Sequence, residues 1–553
     1  QGGNGFSGPV SIYIDAGPSF LSDGAYWHRK TQKGTGSLMK ILTAREAVET
    51  FFFDGATVTF GGFANGLMHP EEIMAALEDA GRGGHLRDLK IVYASGQGDS
   101  ADRGLNHLAV DGLCKTIIGG HWGLAPKLGK LALENKVAAY NLPQGVISEL
   151  FREIAARRPG VITHVGLDTF VDPRLEGGKI NQAACEAGDV VKLIELEGEE
   201  KLFYSSFPID VAVIRATYAD EHGNCTFEKE GIYAEAVAQA QAAHNSGGKV
   251  IVQVEEVVSY GCLDTRLIRL PGIYVDAVVV AEPRHHMQTF GTQYNPAFSG
   301  EIRVPLDALA PLPMSERKII ARRSAMELIP HAVTNLGIGM PEGVAAIAAE
   351  EGLTGMILTT EVGAVGGVPA GGLDFGAATN VDCILEQPVQ FDFYDGGGLD
   401  VAFLGLAQMD KMGNINVSKF GPKVAGCGGF INITQNAKKV VYCGTFTAGG
   451  LKVAVNDGRL SIIQEGRVRK LINQVEQVTF AGSYAMKHRQ PVLYVTERAV
   501  FELTEDGVEL KEIAPGIDIQ KDVLDQMDFV PVIKDVKVMD ERIFCDELMG
   551  LKL

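Results

Sequence analysis

The sequence predicts an α/β fold made of two similar, open and mostly parallel sheets that follow one another along the chain. Three observations predict it. Short runs rich in β-branched residues alternate with longer amphipathic stretches, which indicates parallel sheets with helices on both faces. Sequence features of the first half return in the second half. The length of 553 residues also exceeds what one hydrophobic core usually organises, so two domains are expected.

The first predicted unit begins at Met39. Residues 56–60 are predicted to form a strand, residues 70–77 a helix and residues 89–93 the next strand, which is a βαβ pattern. Residues 1–38 are rich in Gly and Ser, follow no period and lack the apolar core of a signal peptide. We therefore expect these residues to be an N-terminal extension or an expression artefact.

Two pairs of segments carry the repeat between the halves. Residues 210–224 align without gaps on residues 400–414, and in both a buried strand precedes an Asp-x-x-Gly-Asn turn. Gly and Asn tolerate the positive φ that such a turn needs. Residues 61–71 resemble residues 336–342, where a strand enters a glycine turn and a helix begins at Pro-Glu. Because both pairs occur in the same order, the sequence indicates an internal duplication.

A Pro-rich stretch at residues 304–313 separates the two halves. Domain boundaries usually fall in stretches of this composition. We expect a first domain over residues 39–310 and a second over residues 315–530. A C-terminal tail then covers residues 531–553.

Composition argues against several classes of partner. The formal net charge is −19 and no run of Lys and Arg is present, which argues against a nucleic-acid or membrane-surface partner. The eight cysteines are scattered without a Cys-x-x-Cys pair, so neither a zinc site nor a disulfide framework is predicted. That cysteine usage is typical of a reducing cytoplasm. No apolar run approaches the ~20 residues that cross a bilayer.

Glu361 is the first candidate functional residue. It follows an apolar strand and leads into a glycine-rich loop over residues 363–372. In the first half, Gln97 holds a similar place after residues 89–93. Open α/β sheets bind ligands at the carboxyl ends of their strands, so the duplication predicts one shared site for both side chains. Such a site combines an ionised nucleophile with an uncharged amide donor.

Two chemical readings compete for this site. A Gly337-x-Gly339 turn before a helix, with an acidic residue about 20 positions later, is close to a dinucleotide-binding fingerprint. Glu342 at the third glycine position argues against it, because a carboxylate would meet the pyrophosphate. Alternatively, Glu361 attacks an activated acyl carbon, and hydrogen-bond donors that are already in place stabilise the resulting oxyanion. The Gln97 amide is one candidate donor. Two backbone N–H groups are further candidates: those of Gly428 and Gly429.

Four motifs carry a resemblance to a known family. Residues 361–372, 391–400, 413–418 and 425–433 resemble motifs of the family I coenzyme A transferases. The similarity is strongest to the acetate/propionate CoA-transferases, in which both halves are fused in one chain, and it extends from Met39 to the C-terminus. The resemblance implies the CoA-transferase fold, with an α-like first domain and a β-like second domain that carries the nucleophile.

The resemblance also implies an activity. Coenzyme A passes reversibly between a short-chain acyl-CoA and a short monocarboxylate by a ping-pong mechanism, with Glu361 as nucleophile and a glutamyl-CoA thioester as intermediate. Coenzyme A is then a substrate, and no resident cofactor or metal is expected. Acyl-CoA and short carboxylates are the expected partners, and a homo-oligomer, a tetramer in this family, is expected. Substrate or CoA contact is expected at five glycines: Gly363, Gly366, Gly367, Gly398 and Gly450.

Several expectations concern specificity and alternatives. Val362, Val365 and Val368 are expected to line a small apolar acyl pocket, which predicts acids of two to four carbons. His121 and the pair at residues 285–286 are expected to pack or lie on the surface instead of binding metal. Two alternatives remain open. Water could discharge the Glu361 thioester, making the protein an acyl-CoA hydrolase, or the scaffold could be a non-catalytic ligand-sensing module.

Overall fold

The computed structural model describes residues 39–305 and 311–552, so the expectation for residues 1–38 falls outside the described part of the chain. Each half contributes one large sheet with helices packed on it. The eight-stranded sheet of the first half is parallel throughout, and the ten-stranded sheet of the second half has a parallel centre. The predicted α/β class with two similar halves in tandem is confirmed.

The first sheet has a continuous row of buried parallel strands. Listed across the sheet, its strands are Lys40–Leu42, Ala277–Val280, Lys249–Val254, Val211–Arg215, Thr57–Phe60, Leu89–Tyr93, Cys114–Gly119 and Ala138–Asn141. All neighbouring pairs are parallel. Because helices cover both faces, these strands are apolar runs without strict alternation. The two strands predicted near residues 56–60 and 89–93 are confirmed.

The second sheet is mixed. Listed across the sheet, its strands are Cys383–Ile384, Ala364–Val365, Ile357–Thr359, Val333–Leu336, Val401–Gly405, Val440–Cys443, Val492–Val495, Ala499–Thr504, Gly507–Ile513 and Val532–Val538. The central five strands are parallel. Antiparallel pairs extend the sheet on both sides, and the last strand runs parallel to its neighbour.

Helices and small sheets complete the fold. The α-helices are Ala44–Phe51, Glu71–Arg82, Pro126–Leu133, Gln144–Ala155, Gln182–Ala187, Ala236–Asn245, Glu316–Ala325, Glu342–Glu350, Gln387–Asp395, Phe430–Asn436 and Gly482–Lys487. The strands of the small sheets are Gly160–Thr163, Val191–Leu196, Glu199–Ser205, Tyr218–Asp220, Cys225–Thr226, Glu256–Val258, Ile268–Leu270, Val368–Pro369, Ala378–Thr379, Gln408–Asp410, Ile415–Asn416, Lys419–Phe420, Lys423–Val424, Thr447–Ala448, Lys452–Asn456, Arg459–Gln464, Val468–Arg469 and Leu471–Ile472. No helix within the described ranges is long and apolar enough to cross a membrane.

The duplication is visible in matching hydrogen bonds at the start of each central strand. Asp210 accepts the N–H of Thr57 at 2.9 Å, and Asp400 accepts the N–H of Val333 at the same distance. Each carboxylate therefore ties its own strand to the neighbouring strand that leads into the helix. The same contact in both sheets sets the same register between the two strands.

The turns that follow also match. Asp220 Oδ1 accepts the N–H groups of residues 222 and 224, and Asp410 Oδ1 accepts those of residues 412 and 414. Gly223 and Gly413 have φ of 82° and 75°, which only glycine adopts without strain. The aligned segments are thus one structural unit used twice.

The two halves share a hydrophobic core. Helix Gln144–Ala155 of the first half packs on helices Gln387–Asp395 and Phe430–Asn436 of the second half. Ala64 and Leu67 of the first half belong to one buried cluster that includes residues 362 and 431 of the second half. Burial of apolar surface across this contact favours a fixed arrangement of the two sheets.

Candidate active site

A tight turn presents Glu361 at the carboxyl edge of the second sheet. The Gly363 N–H donates to Thr360 O at 3.1 Å, which leaves Glu361 and Val362 at the tip of the turn. Gly363 has φ of 110°, and a Cβ there would lie 2.1 Å from Leu385 O. Any larger residue would push the turn away from its support. The turn therefore fixes the backbone that carries Glu361.

The environment of Glu361 favours a reactive carboxylate. The residue is partly buried, and burial raises the pKa of its carboxyl, while its own backbone N–H acts in the opposite direction. No Lys or Arg in the described ranges influences this pKa. A carboxylate without a cationic partner and with reduced hydration keeps its electron pairs available for attack on an acyl carbon.

A buried polar chain supports the strand before Glu361. The Tyr394 hydroxyl donates to Thr359 Oγ1 at 2.9 Å, and the Asn335 amide donates to Thr359 O at 3.2 Å. Burial and the charge of Glu361 raise the pKa of Tyr394, so its hydroxyl stays protonated. Sequence reasoning missed these three residues. Asn335 and Thr359 are polar residues in strands that begin with apolar residues, and this pattern in the sequence could have identified them.

Gln97 lies in the matching position of the first half. It follows strand Leu89–Tyr93 and is fully buried. Its Nε2 donates to Phe60 O at 3.2 Å, and Oε1 has no hydrogen-bond partner among the described residues. A side-chain amide carries two N–H groups, and this hydrogen bond uses one of them.

A second buried amide shares the acceptor of Gln97. Phe60 O also accepts Gln239 Nε2 at 3.0 Å, and the same amide donates to Glu235 Oε1 at 3.1 Å. Burial raises the pKa of Glu235 to about 8. The Glu235 carboxyl is therefore largely protonated at neutral pH, which avoids an unpaired charge in the interior.

One loop of the first half connects the two candidate segments. Ala64 in this loop accepts the Gly98 N–H at 3.0 Å, next to Gln97. Asn65 Nδ2 donates to Gly372 O, at the end of the glycine-rich loop, at 2.7 Å. Ala64 has φ of 48°, a strained conformation that is common near functional sites. This loop therefore contacts both the Gln97 segment and the far end of the glycine-rich loop that follows Glu361.

The structure does not place the three valines of the expected acyl pocket together. Val362 is fully buried in the hydrophobic cluster shared by both halves. Val365 lies in the strand that pairs with Thr359, while Val368 is exposed. The expectation that Val362 lines the acyl pocket is wrong, because its side chain fills the contact between the halves.

In the loop before helix Phe430–Asn436, one of the two backbone N–H groups expected to stabilise the oxyanion already has a partner. The Gly428 N–H donates to Gly120 O at 2.7 Å, and Gly428 O accepts the Gln144 N–H at 2.9 Å. The Gly428 N–H is therefore already paired and is not a free oxyanion donor, which corrects the prediction for this residue. Gly429 is the N-cap of the helix, and its role as a donor stays a prediction.

The predicted substrate glycines fall into two groups. A Cβ on Gly366 would lie 2.5 Å from Asp382, and one on Gly367 would lie 2.5 Å from Thr379 O, so loop packing already requires glycine there, as at Gly363. Gly398 lies before strand Val401–Gly405, at the edge of the sheet opposite Glu361, so the structure does not bring it to the site. Gly450 is exposed just before a hairpin.

The three histidines that the sequence singled out, His121, His285 and His286, are buried or half-buried. Burial lowers the pKa of His121 to about 4 and holds the pKa of His286 well below its usual value, so both are neutral. His285 Nδ1 lies 2.6 Å from Glu72. Within residues 39–305 and 311–552, no group of three or more His, Cys, Asp or Glu side chains could hold a metal ion.

Comparison with known proteins identifies relatives of high similarity. The family profile described as Coenzyme A transferase matches residues 41–281. The acetate CoA-transferase YdiF of Escherichia coli K12 is 45% identical over 516 residues, which are 93% of this chain and 96% of that protein. The caffeate CoA-transferase of Acetobacterium woodii is 49% identical over 524 residues, which are 93% of this chain and 99% of that protein.

A solved structure matches the fold as well. The crystal structure of the acyl-CoA transferase YdiF from Escherichia coli O157:H7, in a thioester complex with CoA, matches with a TM-score of 0.88 at 44% identity. The match covers 93% of this chain and 98% of that chain. Identity at this level over nearly the whole length of the relatives shows that the chain belongs to the coenzyme A transferase family.

Proposed function

We propose that this chain transfers coenzyme A between an acyl-CoA and a carboxylate, with Glu361 as the covalent carrier. The observation that carries the proposal is a partly buried carboxylate at the tip of a fixed turn, with no cationic partner among the described residues. Relatives named as acetate and caffeate CoA-transferases, and a YdiF structure in a thioester complex with CoA, support it. The same family membership supports a homo-oligomer as the functional state.

The chemistry balances without a metal or redox cofactor. The Glu361 carboxylate attacks the thioester carbonyl carbon, the C–S bond breaks, and CoA leaves as a thiolate while a mixed anhydride forms. The thiolate then attacks the glutamyl carbonyl and releases the first carboxylate, which leaves a glutamyl-CoA thioester. A second carboxylate reverses both steps. The charge passes between carboxylate and thiolate, and binding energy from the CoA chain lowers the barriers.

The covalent intermediate gives the direct test. We expect intact-protein mass spectrometry after incubation with acetyl-CoA alone to show one CoA added per chain, on the peptide that contains Glu361. Hydroxylamine, which cleaves thioesters, should remove this mass. The Glu361→Gln variant is the control and should gain no mass. CoA attached to any other residue would contradict the assignment of Glu361.

Substrate range is a separate prediction. We expect transfer from acetyl-CoA to propionate, butyrate and lactate, because a relative at 45% identity is named as an acetate CoA-transferase and one added methylene usually changes the barrier by only ~1–3 kcal/mol. Succinate should be a poor acceptor, since we assign no cationic side chain to a second carboxylate. The panel also includes caffeate, because one relative at 49% identity is named for it. A strong preference for caffeate or succinate in steady-state rates would contradict the short-chain proposal.

Hydrolysis is the alternative for the same intermediate. A hydrolase discharges the Glu361 thioester to water, whereas a transferase keeps it until a carboxylate arrives. The lifetime of the CoA adduct without an acceptor, followed by mass spectrometry, separates the two. We expect the adduct to outlast many transfer turnovers.

A further inference from the structure

Gln387 forms the centre of a buried polar seam between the two halves. It is the first residue of helix Gln387–Asp395 and is fully buried. Its Oε1 accepts Ser95 Oγ at 2.9 Å and Gln144 Nε2 at 3.3 Å, and its Nε2 donates to Ser148 Oγ at 2.5 Å. Its backbone N–H donates to Ala234 O at 2.9 Å. All four partners belong to the first half, and two of them lie in helix Gln144–Ala155, so one side chain and one N–H join three of its segments.

On the second half, the seam continues to the turn that presents Glu361. The Leu385 N–H donates to Gly363 O at 2.8 Å, two residues before Gln387. Gly363 is packed so closely on Leu385 O that no Cβ fits between them. A movement of the segment at residues 385–387 is therefore transmitted to Glu361.

On the first half, the seam reaches two other candidate segments. Ser95 lies two residues before Gln97, between strand Leu89–Tyr93 and the Gln97 backbone. Gln144 donates its backbone N–H to Gly428 O at 2.9 Å. The seam is thus in contact with the segments of Gln97, Glu361 and the glycine loop before helix Phe430–Asn436.

We propose that Gln387 is a positioning residue that holds the Glu361 turn in register with Gln97 across the interface between the halves. The proposal rests on the proposed function, since register matters only if both side chains act on one substrate. Gln387 uses both side-chain polar atoms, and its partners are excluded from water, so the geometry is fixed by direct hydrogen bonds. Loss of the amide leaves Ser95, Gln144 and Ser148 unpaired and allows the halves to shift.

Gln435 offers a matched control. It is also a buried glutamine of the second half, and it also bonds to the first half. Its Oε1 accepts the Gly166 N–H at 2.8 Å, and its Nε2 donates to Leu167 O at 2.9 Å. It lies at the end of helix Phe430–Asn436 that is distant from Gly429. A Gln435→Ala variant therefore removes a comparable link without touching the seam around Gln387.

The experiment compares kcat, KM and adduct formation in the two variants. We expect Gln387→Ala to lower kcat and the rate of CoA adduct formation by about 10²-fold, the usual effect of a displacement near 1 Å. The KM for acetyl-CoA should change by no more than about threefold, because contacts that bind the CoA chain stay in place. Gln435→Ala should keep kcat within about twofold, although both variants should melt at a lower temperature than the wild type.

A milder variant keeps the test decisive if Gln387→Ala does not fold. Ser95→Ala removes one donor to Gln387 and is expected to lower kcat about fivefold, the effect of one hydrogen bond. Equal kcat values in Gln387→Ala and Gln435→Ala would overturn the proposal, as would an unchanged kcat in Ser95→Ala. If the wild type forms no adduct at Glu361, the proposed function fails instead, so the two failures are distinguishable.

Discussion

Replacement of Glu361 by Gln is expected to reduce CoA transfer by several orders of magnitude while leaving the protein folded. The amide has nearly the same shape, but it lacks the ionised oxygen that forms the bond to the acyl carbon. We expect kcat for transfer from acetyl-CoA to propionate to fall to background, and the CoA adduct to disappear. Steady-state rates and intact mass, measured on the same preparation, check both parts.

The Glu361→Gln variant should lose its transfer activity without losing thermal stability. Burial raises the folded-state pKa of Glu361 above its unfolded value, so the ionised group opposes folding as the pH rises through the folded pKa. At neutral pH, the Glu361→Gln variant should therefore melt at the wild-type temperature or above it. Such an increase is common when a residue kept for reactivity is removed.

Glu176 is a suitable control carboxylate. It is also partly buried, burial raises its pKa, and it accepts Gln477 Nε2 at 2.7 Å outside the candidate site. Glu176→Gln should retain transfer activity within about twofold, because Glu176 lies outside the candidate site and does not react with the substrate. Near-normal transfer by the Glu361→Gln protein would end the assignment of Glu361 as the carrier.

The positions of Glu361 and Gln97 could be predicted because they depend on local patterns. A strand, a glycine turn and a helix start recur in both halves, and a parallel sheet collects its ligands at the carboxyl edge. The matching contacts of Asp210 and Asp400 show that the repeat is real in three dimensions. Local pattern together with duplication was enough to locate the two segments.

The seam around Gln387 could not be predicted in the same way. Gln387 and Ser95 are 292 positions apart, and nothing in either local sequence distinguishes a buried amide or hydroxyl from an exposed one. Their pairing follows from how the two halves pack, which is a tertiary effect. The same reason hides the paired state of the Gly428 N–H, because its acceptor, Gly120 O, belongs to the other half.

A glycine-rich loop in a sequence has two possible physical causes. Gly363, Gly366 and Gly367 are required because a Cβ would meet other parts of the chain. A glycine that makes room for a ligand and one that makes room for the protein's own backbone look the same in a sequence. The loop was therefore predicted in the right place, while the reason for its composition needed the structure.

Gln97→Ala is expected to lower kcat by ~10²–10³-fold, the usual cost of losing one oxyanion donor. The amide lies fully buried with one N–H on Phe60 O, so its orientation is fixed before substrate arrives. A donor that is already oriented stabilises the developing oxyanion without reorganisation, and this benefit appears in kcat more than in KM. The rate of CoA adduct formation at Glu361 should fall by the same factor as kcat.

Gln239 separates catalysis from simple support in this test. Its amide donates to the same Phe60 O and is equally buried, and it also donates to Glu235. Gln239→Ala should lower the melting temperature and reduce kcat by less than about tenfold, since it removes support without removing the donor. If both variants lose the same activity, Gln97 supports the buried structure around Phe60 instead of donating to the oxyanion. A loss of only twofold in Gln97→Ala would place its amide outside the oxyanion hole.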